Sequence, residues 1–404
     1  MMEQNNITNI INIMKHIIFI IILSGLVSLA KAQENIDLVL QDISTNNSQL
    51  EALQKEVNAQ KIGNKTGIHL SNPELGINYL WGSPSEMGNR KDISLMQGFD
   101  FPTAYRYKSQ MANERNKLSD LQFAILRKEI LLRARLICVD IVYRNKLKSE
   151  FSKRFAHATQ MAEAYQTRFD KGDTDILERN KTQLNLLNTK KILELNEIEL
   201  ITLKDQLQQL NGGIELRHQI NDYPIVMLPS NFEEWYKAIE EENPVIEFGK
   251  QEVALSGKQE KLSRSMNLPK FSMGYMSERI AGTTHQGIGF GISIPLWENK
   301  NTLKHAKAQT IALQSAHNDT QFMFESALKN QFAKAKYLSD MLKDYKTLLE
   351  ATNSEELLSI ALNKGHVSLI NYLLELSINY EVTDKYIDSE KDYHIVLSEL
   401  RQWE

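Results

Sequence analysis

The sequence has 404 residues, of which 24% are charged, and it carries a formal net charge of −4. It contains 18 glycines, 8 prolines and 1 cysteine. Because glycine and proline both fall below their usual shares, the chain has few turns and must place its residues in long regular elements. The near balance of 47 basic and 51 acidic residues excludes the basic surface that a nucleic-acid backbone requires. We therefore expect a protein rich in long helices that does not bind nucleic acid.

The N-terminal segment has the pattern of a secretory signal. Lys15 precedes an uncharged apolar run from Ile17 to Ala30, and Ala30-Lys31-Ala32 supplies the small residues of a cleavage site. The apolar run is shorter than the roughly 20 residues that a helix needs to cross a membrane, which argues against a membrane anchor. We predict that residues 1–32 are a cleaved signal peptide and that the chain is exported.

Two regions have the spacing of long helices. Apolar residues between Leu118 and Tyr143 recur at helical steps, and the stretch from about Tyr105 to Phe169 contains no glycine or proline. At about 1.5 Å per residue, that stretch would be roughly 100 Å long. Leucines recur every seven residues, as in a coiled coil, at Leu186, Leu193, Leu200 and Leu207. These patterns predict a mainly helical protein built on long coiled-coil helices.

Two shorter regions change from helical spacing to strict alternation, which is typical of β-strands. In residues 72–102, large apolar residues such as Leu75 and Ile77 alternate with small or polar ones, and residues 268–295 repeat the design. A large apolar face backed by a face of small residues suits a strand that lies between lipid and water. We predict two hairpins, and hence four transmembrane strands per chain. A half-buried hairpin packed on helices is the alternative.

The strand count predicts oligomerisation. Four strands cannot close a barrel, and open strand edges are not tolerated in lipid, so several chains must share one barrel. The alternation also predicts small or polar residues facing the barrel lumen. They are Gly76, Asn78, Ser94, Met96, Gly98, Ser272, Gly274, Gly289, Gly291 and Ser293. For each glycine, a requirement of strand curvature is the alternative explanation.

Landmark residues recur at a nearly constant offset along the chain. They are Pro73 with Pro269, 196 residues apart, and Pro102 with Pro295 and Gly172 with Gly365, each pair 193 residues apart. Such offsets indicate an internal duplication. We predict a first repeat over residues 33–210, a connector over 211–231 and a second repeat over 232–404. In each repeat a hairpin is followed by two long helices that meet at a glycine-containing tip, near residues 172 and 365.

The chain resembles the TolC-type outer-membrane efflux channels. The resemblance rests on the repeat, on hairpins that end in Phe101-Pro102 and Ile294-Pro295, and on tips of the form R-F-x-x-G and L-x-x-G followed by apolar helix. It covers essentially the whole chain after the signal. It implies a homotrimer with a twelve-stranded barrel in the outer membrane and a tunnel of twelve helical strands across the periplasm. It also implies two partners, a periplasmic adaptor (membrane fusion) protein and an inner-membrane pump of the resistance-nodulation-division type.

The resemblance places function at the channel wall and at the two tips. In the family, acidic residues shortly after the second tip glycine line the periplasmic aperture. Here Asn371 and Leu374 stand where acids are expected, and Glu375 is the nearest carboxylate. The first tip is acidic, although a helix cap at Asp173 or Thr174 is an alternative explanation. The residues expected at the tips, the aperture and the adaptor-docking surface are Arg168, Asp170, Gly172, Asp173, Asp175, Glu178, Lys364, Gly365, His366, Asn371 and Glu375.

The sequence contains no motif of an enzyme or a metal site. Its nine histidines form no H-x-x-x-H or H-E-x-x-H pair, and there is no G-x-S-x-G and no phosphate-binding glycine loop. The single cysteine, Cys138, cannot form an internal disulfide and lies far from the predicted cleavage site, so we expect no lipid anchor there. We expect Cys138 to be a small buried hydrophobic residue.

These patterns together predict a non-enzyme without a cofactor or metal. We expect the exit duct of a tripartite efflux system, located in the outer membrane with a long periplasmic portion, for small toxic compounds or metal cations. Two alternatives stay open. One is the outer-membrane component of a type I protein secretion system, and the other is a periplasmic coiled-coil adaptor or scaffold without a barrel.

Overall fold

The computed structural model describes residues 36–351 and 355–403. The predicted signal peptide lies outside the described residues. The chain is mostly helical with one small antiparallel sheet, which confirms the predicted fold class. The helices are α1 (36–46), α2 (Ser48–Gly63), α3 (Pro102–Asp170), α4 (Ile176–Leu210), α5 (Phe232–Glu242), α6 (Pro244–Ser265), α7 (Thr302–Ala351), α8 (Glu355–Asn363) and α9 (Leu369–Arg401). The strands are β1 (Glu74–Leu80), β2 (Arg90–Phe99), β3 (Lys270–Ile280) and β4 (Thr283–Ser293).

The described residues form two compact units. The helical unit comprises the described residues up to Glu51, Arg127–Ile239 and the described residues from Ser326 onward. The sheet unit comprises Ala52–Leu126 and Glu240–Glu325, and it contains all four strands. Each unit takes segments from both halves of the chain. The repeats inferred from the sequence are a different division, and they stay a prediction.

The core of the helical unit forms where α1, α3, α4 and the connector meet. Ile36 and Ile43 of α1 pack with Val142 of α3, Leu207 of α4 and Tyr223 of the connector. Burial of such side chains is the main favourable contribution to folding, at about 1.5–3 kcal/mol for each fully buried one.

Cys138 lies within this core and is fully buried, as expected of a small hydrophobic residue. Burial raises the pKa of its thiol to about 12, because the thiolate would be poorly solvated there. The thiol is therefore chemically inert in the folded chain.

Helices α3 and α4 meet along a coiled-coil seam, as the leucine spacing predicted. Leu200 and Leu207 are buried, and Leu186 and Leu193 are half-buried. The second position of this heptad pattern is polar over part of its length. Its residues are Thr182, Thr189, Asn196, Leu203 and Leu210.

Asn196 is the buried polar residue at the middle of this seam. Its side-chain amide donates to the backbone carbonyl of Arg144 on α3 at 3.0 Å. This bond satisfies an amide that would otherwise be buried without a partner.

The four strands form one antiparallel sheet in the order β1-β2-β3-β4. The strands lie inside the two predicted hairpin regions. Strands β3 and β4 are joined by two residues, Ala281 and Gly282, which both have positive φ as a tight hairpin of twisted strands requires. Residues 81–89 join β1 to β2 and include a short 3₁₀ turn at Ser85–Met87.

Both hairpin turns lie at the same end of the sheet, which we call the turn end. At the opposite end, the helix end, the strands continue into α3 and α7 and follow α6. Hydrogen bonds fix these junctions. Tyr105 Oη accepts from the backbone N–H of Asp100 at 2.8 Å, and the Asn299 side chain donates to the Met266 carbonyl at 2.6 Å. Among the residues that the structure describes, none of the helices combines the length and the apolar character needed to cross a membrane.

Candidate channel wall and helical tips

The structure brings the ten predicted lumen residues together on one face of the sheet. In the antiparallel register, Gly76 lies opposite Ser94, and Gly274 lies between Met96 and Gly289. Directly opposed residues of neighbouring strands share a face, and residues two apart in one strand do so as well. We call this the small-residue face. That it borders a lumen stays a prediction.

The glycines of the small-residue face differ in whether the neighbouring strand would permit a larger side chain at their positions. A side chain at Gly274 would collide with the backbone carbonyl oxygen of Leu95 on the neighbouring strand, so close strand approach requires glycine there. At Gly289 an added Cβ would meet the terminal methyl of Met276 at 3.3 Å, which a flexible side chain can accommodate. Close strand approach therefore requires glycine at position 274 but not at position 289.

The opposite face of the sheet, the apolar face, is lined with large side chains that the described residues leave exposed. Ile77, Phe290 and Ile292 are 67–79% exposed. A contiguous exposed surface of this kind marks contact with a partner or a membrane. Trp81 follows β1 at the turn end and Trp297 follows β4 at the helix end, and both are 80% exposed. Aromatic residues at both borders of an apolar band are typical of membrane-spanning strands.

The first tip joins α3 to α4 through a left-handed glycine. Gly172 has φ of 80°, which permits the N–H of Asp173 to bond back to the carbonyl of Arg168 at 2.8 Å. The cap of α4 is Asp175, whose carboxylate accepts from the N–H of Glu178 at 2.8 Å. The sequence-based alternative of a cap at Asp173 or Thr174 is therefore wrong. Helix α4 begins at Ile176, one or two residues later than that cap required.

The other predicted residues of the first tip lie at its surface. Arg168 and Asp170 are exposed at the end of α3, and Gln166 donates to the Asp170 carboxylate at 2.8 Å. The Thr174 hydroxyl donates to the carboxylate of Glu178. The Arg168 guanidinium lies over the Tyr165 ring at 5.0 Å, and burial raises the pKa of that tyrosine. The first-tip carboxylates thus serve in part to hold the turn.

The second tip repeats the first bond for bond at an offset of 193 residues. Gly365 has φ of 72°, and the N–H of His366 bonds to the carbonyl of Ala361 at 2.9 Å. Ser368 caps α9 by accepting from the N–H of Asn371 at 3.3 Å. The predicted second-tip residues are all exposed. They are Lys364, Gly365, His366, Asn371 and Glu375.

The first turns of α9 pack against α3 and bring the second tip onto the helix that leads to the first. Leu369, Tyr372 and Leu376 form a buried cluster with Met161 and Tyr165 of α3. The Tyr372 hydroxyl lies 2.8 Å from Nε2 of His157, also on α3. The apolar pair of the first tip, Ile176 and Leu177, is instead exposed.

An ion pair that sequence reasoning missed joins the same two helices. Arg154 of α3 makes a two-pronged contact with Asp384 of α9, with N–O distances of 2.7 and 3.0 Å. The guanidinium also lies 4.3 Å from the centre of the Tyr380 ring. The sequence offered one weak indication of this contact. Arg154 and His157 precede Met161 by seven and four residues, which places all three on the same face of α3.

The described residues offer no site for a metal. Within residues 36–351 and 355–403, no three His, Cys, Asp or Glu side chains are grouped so that they could hold an ion. What the arrangement offers is a two-faced sheet and two matched helical tips.

The fold matches solved structures of membrane channels. A membrane protein from Pseudomonas aeruginosa superimposes with a TM-score of 0.78 at 12% identity, over 91% of this chain and 90% of its own. The CmeC outer membrane channel of Campylobacter jejuni gives a TM-score of 0.76 at 14% identity, over 92% of this chain and 85% of its own. The open state of the Neisseria gonorrhoeae MtrE outer membrane channel gives 0.69 at 12% identity, over 91% and 88%.

By sequence, no protein-family model and no curated protein matches the chain. At identities this low, structural likeness establishes the fold. The superpositions extend over about nine-tenths of the chain, so they include both the small four-stranded sheet and the long helical hairpins. The chain has the fold of the TolC-type outer-membrane channels.

Proposed function

We propose that the chain is the outer-membrane exit duct of a tripartite efflux system, which exports small toxic compounds or metal cations. The observation that carries the proposal is the two-faced sheet. Its apolar face exposes Ile77, Phe290 and Ile292, whereas its other face consists largely of glycine, serine and short polar residues. A wall with lipid on one side and water on the other has this composition.

The proposed assembly is a homotrimer. The sheet order leaves β1 and β4 as its edge strands, each paired on one side within the described chain. Unpaired edges are not tolerated in hydrocarbon, so β1 of one copy would pair with β4 of the next until the barrel closes. Three copies supply twelve strands, within the range of known membrane barrels. The channel fold supports this arrangement.

In this assembly the small-residue face lines the barrel lumen and the helical tips open into the periplasm. The exposed residues around Gly172 and Gly365 would dock a periplasmic adaptor protein, which in turn engages a resistance-nodulation-division pump in the inner membrane. Asn371, Leu374 and Glu375 are all exposed on α9, which leaves them free to line an aperture. With one carboxylate among these three positions, the aperture would carry a weaker negative field than a full acidic ring.

The first experiment measures the oligomeric mass of the mature protein after extraction from outer membranes in mild detergent. Light scattering corrected for bound detergent should give three copies. A stable monomer, or recovery from the soluble periplasm, would overturn the channel proposal. A periplasmic coiled-coil scaffold would then explain the chain better.

A second experiment distinguishes efflux from protein secretion by identifying the partner at the tip. Cys138 is buried and unreactive, so a cysteine introduced by His366→Cys would be the accessible thiol for a cleavable crosslinker. Capture of the adaptor of a resistance-nodulation-division pump would support efflux, and capture of the adaptor of an ATP-driven exporter would favour secretion. Lys237→Cys, exposed on α5, is the matched control and should capture neither.

A further inference from the structure

The charged residues of the strands are divided between the two faces of the sheet. All three carboxylates of the strands, Glu74, Asp92 and Glu278, belong to the small-residue face. The apolar face carries two charged residues, Lys91 and Arg279, and both are basic and exposed. We call these two residues the cation pair.

The register places the cation pair side by side at the turn end. Lys91 and Arg279 are directly opposed across β2 and β3, and Tyr79 and Thr284 complete the row on the outer strands. The next row toward the helix end has Ile77 and Ile93 on β1 and β2 and polar residues on β3 and β4, and the row after it consists of three aliphatic residues and Tyr275. The cation pair therefore marks the border where the apolar face ends.

Two like charges directly opposed across strands destabilise a sheet unless an anion lies between them. Among the described residues, neither member of the pair forms an ion pair with a carboxylate, and the Lys91 ammonium lies over the Tyr79 ring at 5.4 Å. The neighbouring residue shows the contrast. Arg90 points to the small-residue face and pairs with Asp92 at 2.7 Å and Glu278 at 3.1 Å. The cation pair is therefore exposed and without a carboxylate partner among the residues that the structure describes, and it is open to an external anion.

We propose that Lys91 and Arg279 bind the phosphate of a lipid headgroup at the turn-end border of the apolar face. This inference rests on the proposed function, because the apolar face must border lipid. A basic residue on that face is costly at the bilayer midplane but costs little near an interface, where both residues lie by register. A guanidinium can hold two phosphate oxygens at once, and the adjacent ammonium can approach a third.

The identity of the anion follows from its surroundings. A free inorganic anion would compete with bulk water at an exposed site. A phosphorylated lipid instead places its acyl chains along Ile77 and Ile93 while its headgroup reaches the cations. Tyr79 and Trp81, whose rings meet edge to face with centroids 5.5 Å apart, border the same corner and suit the headgroup level.

The test uses native mass spectrometry of the purified full-length protein in mild detergent. The protein is incubated with phosphorylated lipid A, or with the same lipid after removal of its phosphates. We expect retention of the phosphorylated form over the dephosphorylated form. The Lys91→Gln/Arg279→Gln double variant should lose roughly 25-fold in retention, since each of the two cations near an anionic headgroup contributes roughly a fivefold factor.

Two control variants keep the test specific. Lys270→Gln removes a cation of the small-residue face, which pairs with Glu298 at 3.0 Å, and should retain the lipid like the native chain. The exchange Lys91→Arg/Arg279→Lys keeps both charges and should also retain it. Equal retention of phosphorylated and dephosphorylated lipid by the native trimer, or unchanged retention by the double variant, would overturn the inference.

The same spectra separate failure of this inference from failure of the proposed function. They report the oligomeric mass of every variant alongside its bound lipid. A trimer that binds lipid without regard to phosphate refutes the cation pair and leaves the channel proposal intact. A monomer that retains no lipid in any variant refutes both.

Discussion

The two helical tips have the same turn but opposite surroundings. Each has a glycine of positive φ followed three residues later by a capping side chain, Asp175 in one and Ser368 in the other. The first helical residue after the cap is Ile176 at the first tip, 53% exposed, and Leu369 at the second tip, 2% exposed. Local sequence therefore sets the turn, and the neighbouring helix decides what is buried.

The difference shows at which tip the first helical residue after the cap is buried by another helix of the same chain. At the second tip Leu369 is covered by α3, whose Met161 and Tyr165 lie in the same cluster, whereas the next residue, Ile370, is 58% exposed. The first tip leaves Ile176 and Leu177 without cover from the described part of the chain. In the proposed assembly this uncovered pair is available for a neighbouring subunit or an adaptor, while the second tip is anchored.

The largest difference in the free energy of unfolding is expected when the first helical residue after each cap, Leu369 or Ile176, is replaced by alanine. Leu369→Ala should lower the free energy of unfolding by about 2–5 kcal/mol, because it opens a cavity in a packed cluster. Ile176→Ala should cost less than about 1 kcal/mol, since its side chain is already half in water. Guanidinium unfolding followed by helical circular dichroism measures both. Equal losses would show that Ile176 is packed in the assembled protein.

A smaller effect is expected from the ion pair that ties α9 to α3. Asp384→Asn leaves the nearly buried Arg154 guanidinium without its carboxylate and should cost about 1–3 kcal/mol. Asp340→Asn is the control, because its pair with Lys343 lies on the exposed surface of one helix, and it should cause no measurable change. The same unfolding experiment applies. If Asp384→Asn leaves the free energy of unfolding unchanged, as the control does, then Arg154 is solvated and its ion pair with Asp384 does not anchor the second tip.

The smallest loss of stability is expected from removing the helix caps. Because the two tips have the same turn, the losses at the two caps should be equal. Asp175→Ala and Ser368→Ala should each cost about 1 kcal/mol, because each leaves one N–H at a helix start without its partner. Asp173→Ala, at the residue that the sequence suggested as a cap, should stay within about 0.5 kcal/mol of the native chain. Thermal unfolding of the three variants provides the measurement. A loss at Asp173 equal to that at Asp175 would contradict the capping assignment.

Local periodicity was enough to predict the strands and the long helices. Alternation located both hairpins, and the absence of glycine and proline predicted helix over 105–169, where α3 in fact runs from Pro102 to Asp170. The glycine and proline residues after Leu210 predicted the break, and a helix does begin at Phe232. Each of these features depends on residues close together in the chain, so a single sequence contains the signal.

Burial and long-range contacts could not be predicted in the same way. The spacing suggested one apolar stripe along α3, yet the structure buries Ile137, Cys138 and Val142 because α1, α4 and the connector all meet at that core. The pair of Arg154 and Asp384 joins residues 230 apart, and no local pattern connects them. The exposed Ile176 and the buried Leu369 occupy the same position, four residues after the tip glycine and directly after the helix cap. Their difference arises from the packing of α8 and α9 on α3.

The buried Asn196 in the seam between α3 and α4 has a consequence for the register of the two helices. An apolar heptad seam permits two helices to slide by one repeat, about 10 Å at about 1.5 Å per residue, with little change in contacts. Sliding here would take the Asn196 amide away from the Arg144 carbonyl and leave it unsatisfied. The asparagine therefore fixes the register of α4 against α3, so that the same residues of the two long helices face each other along the whole seam.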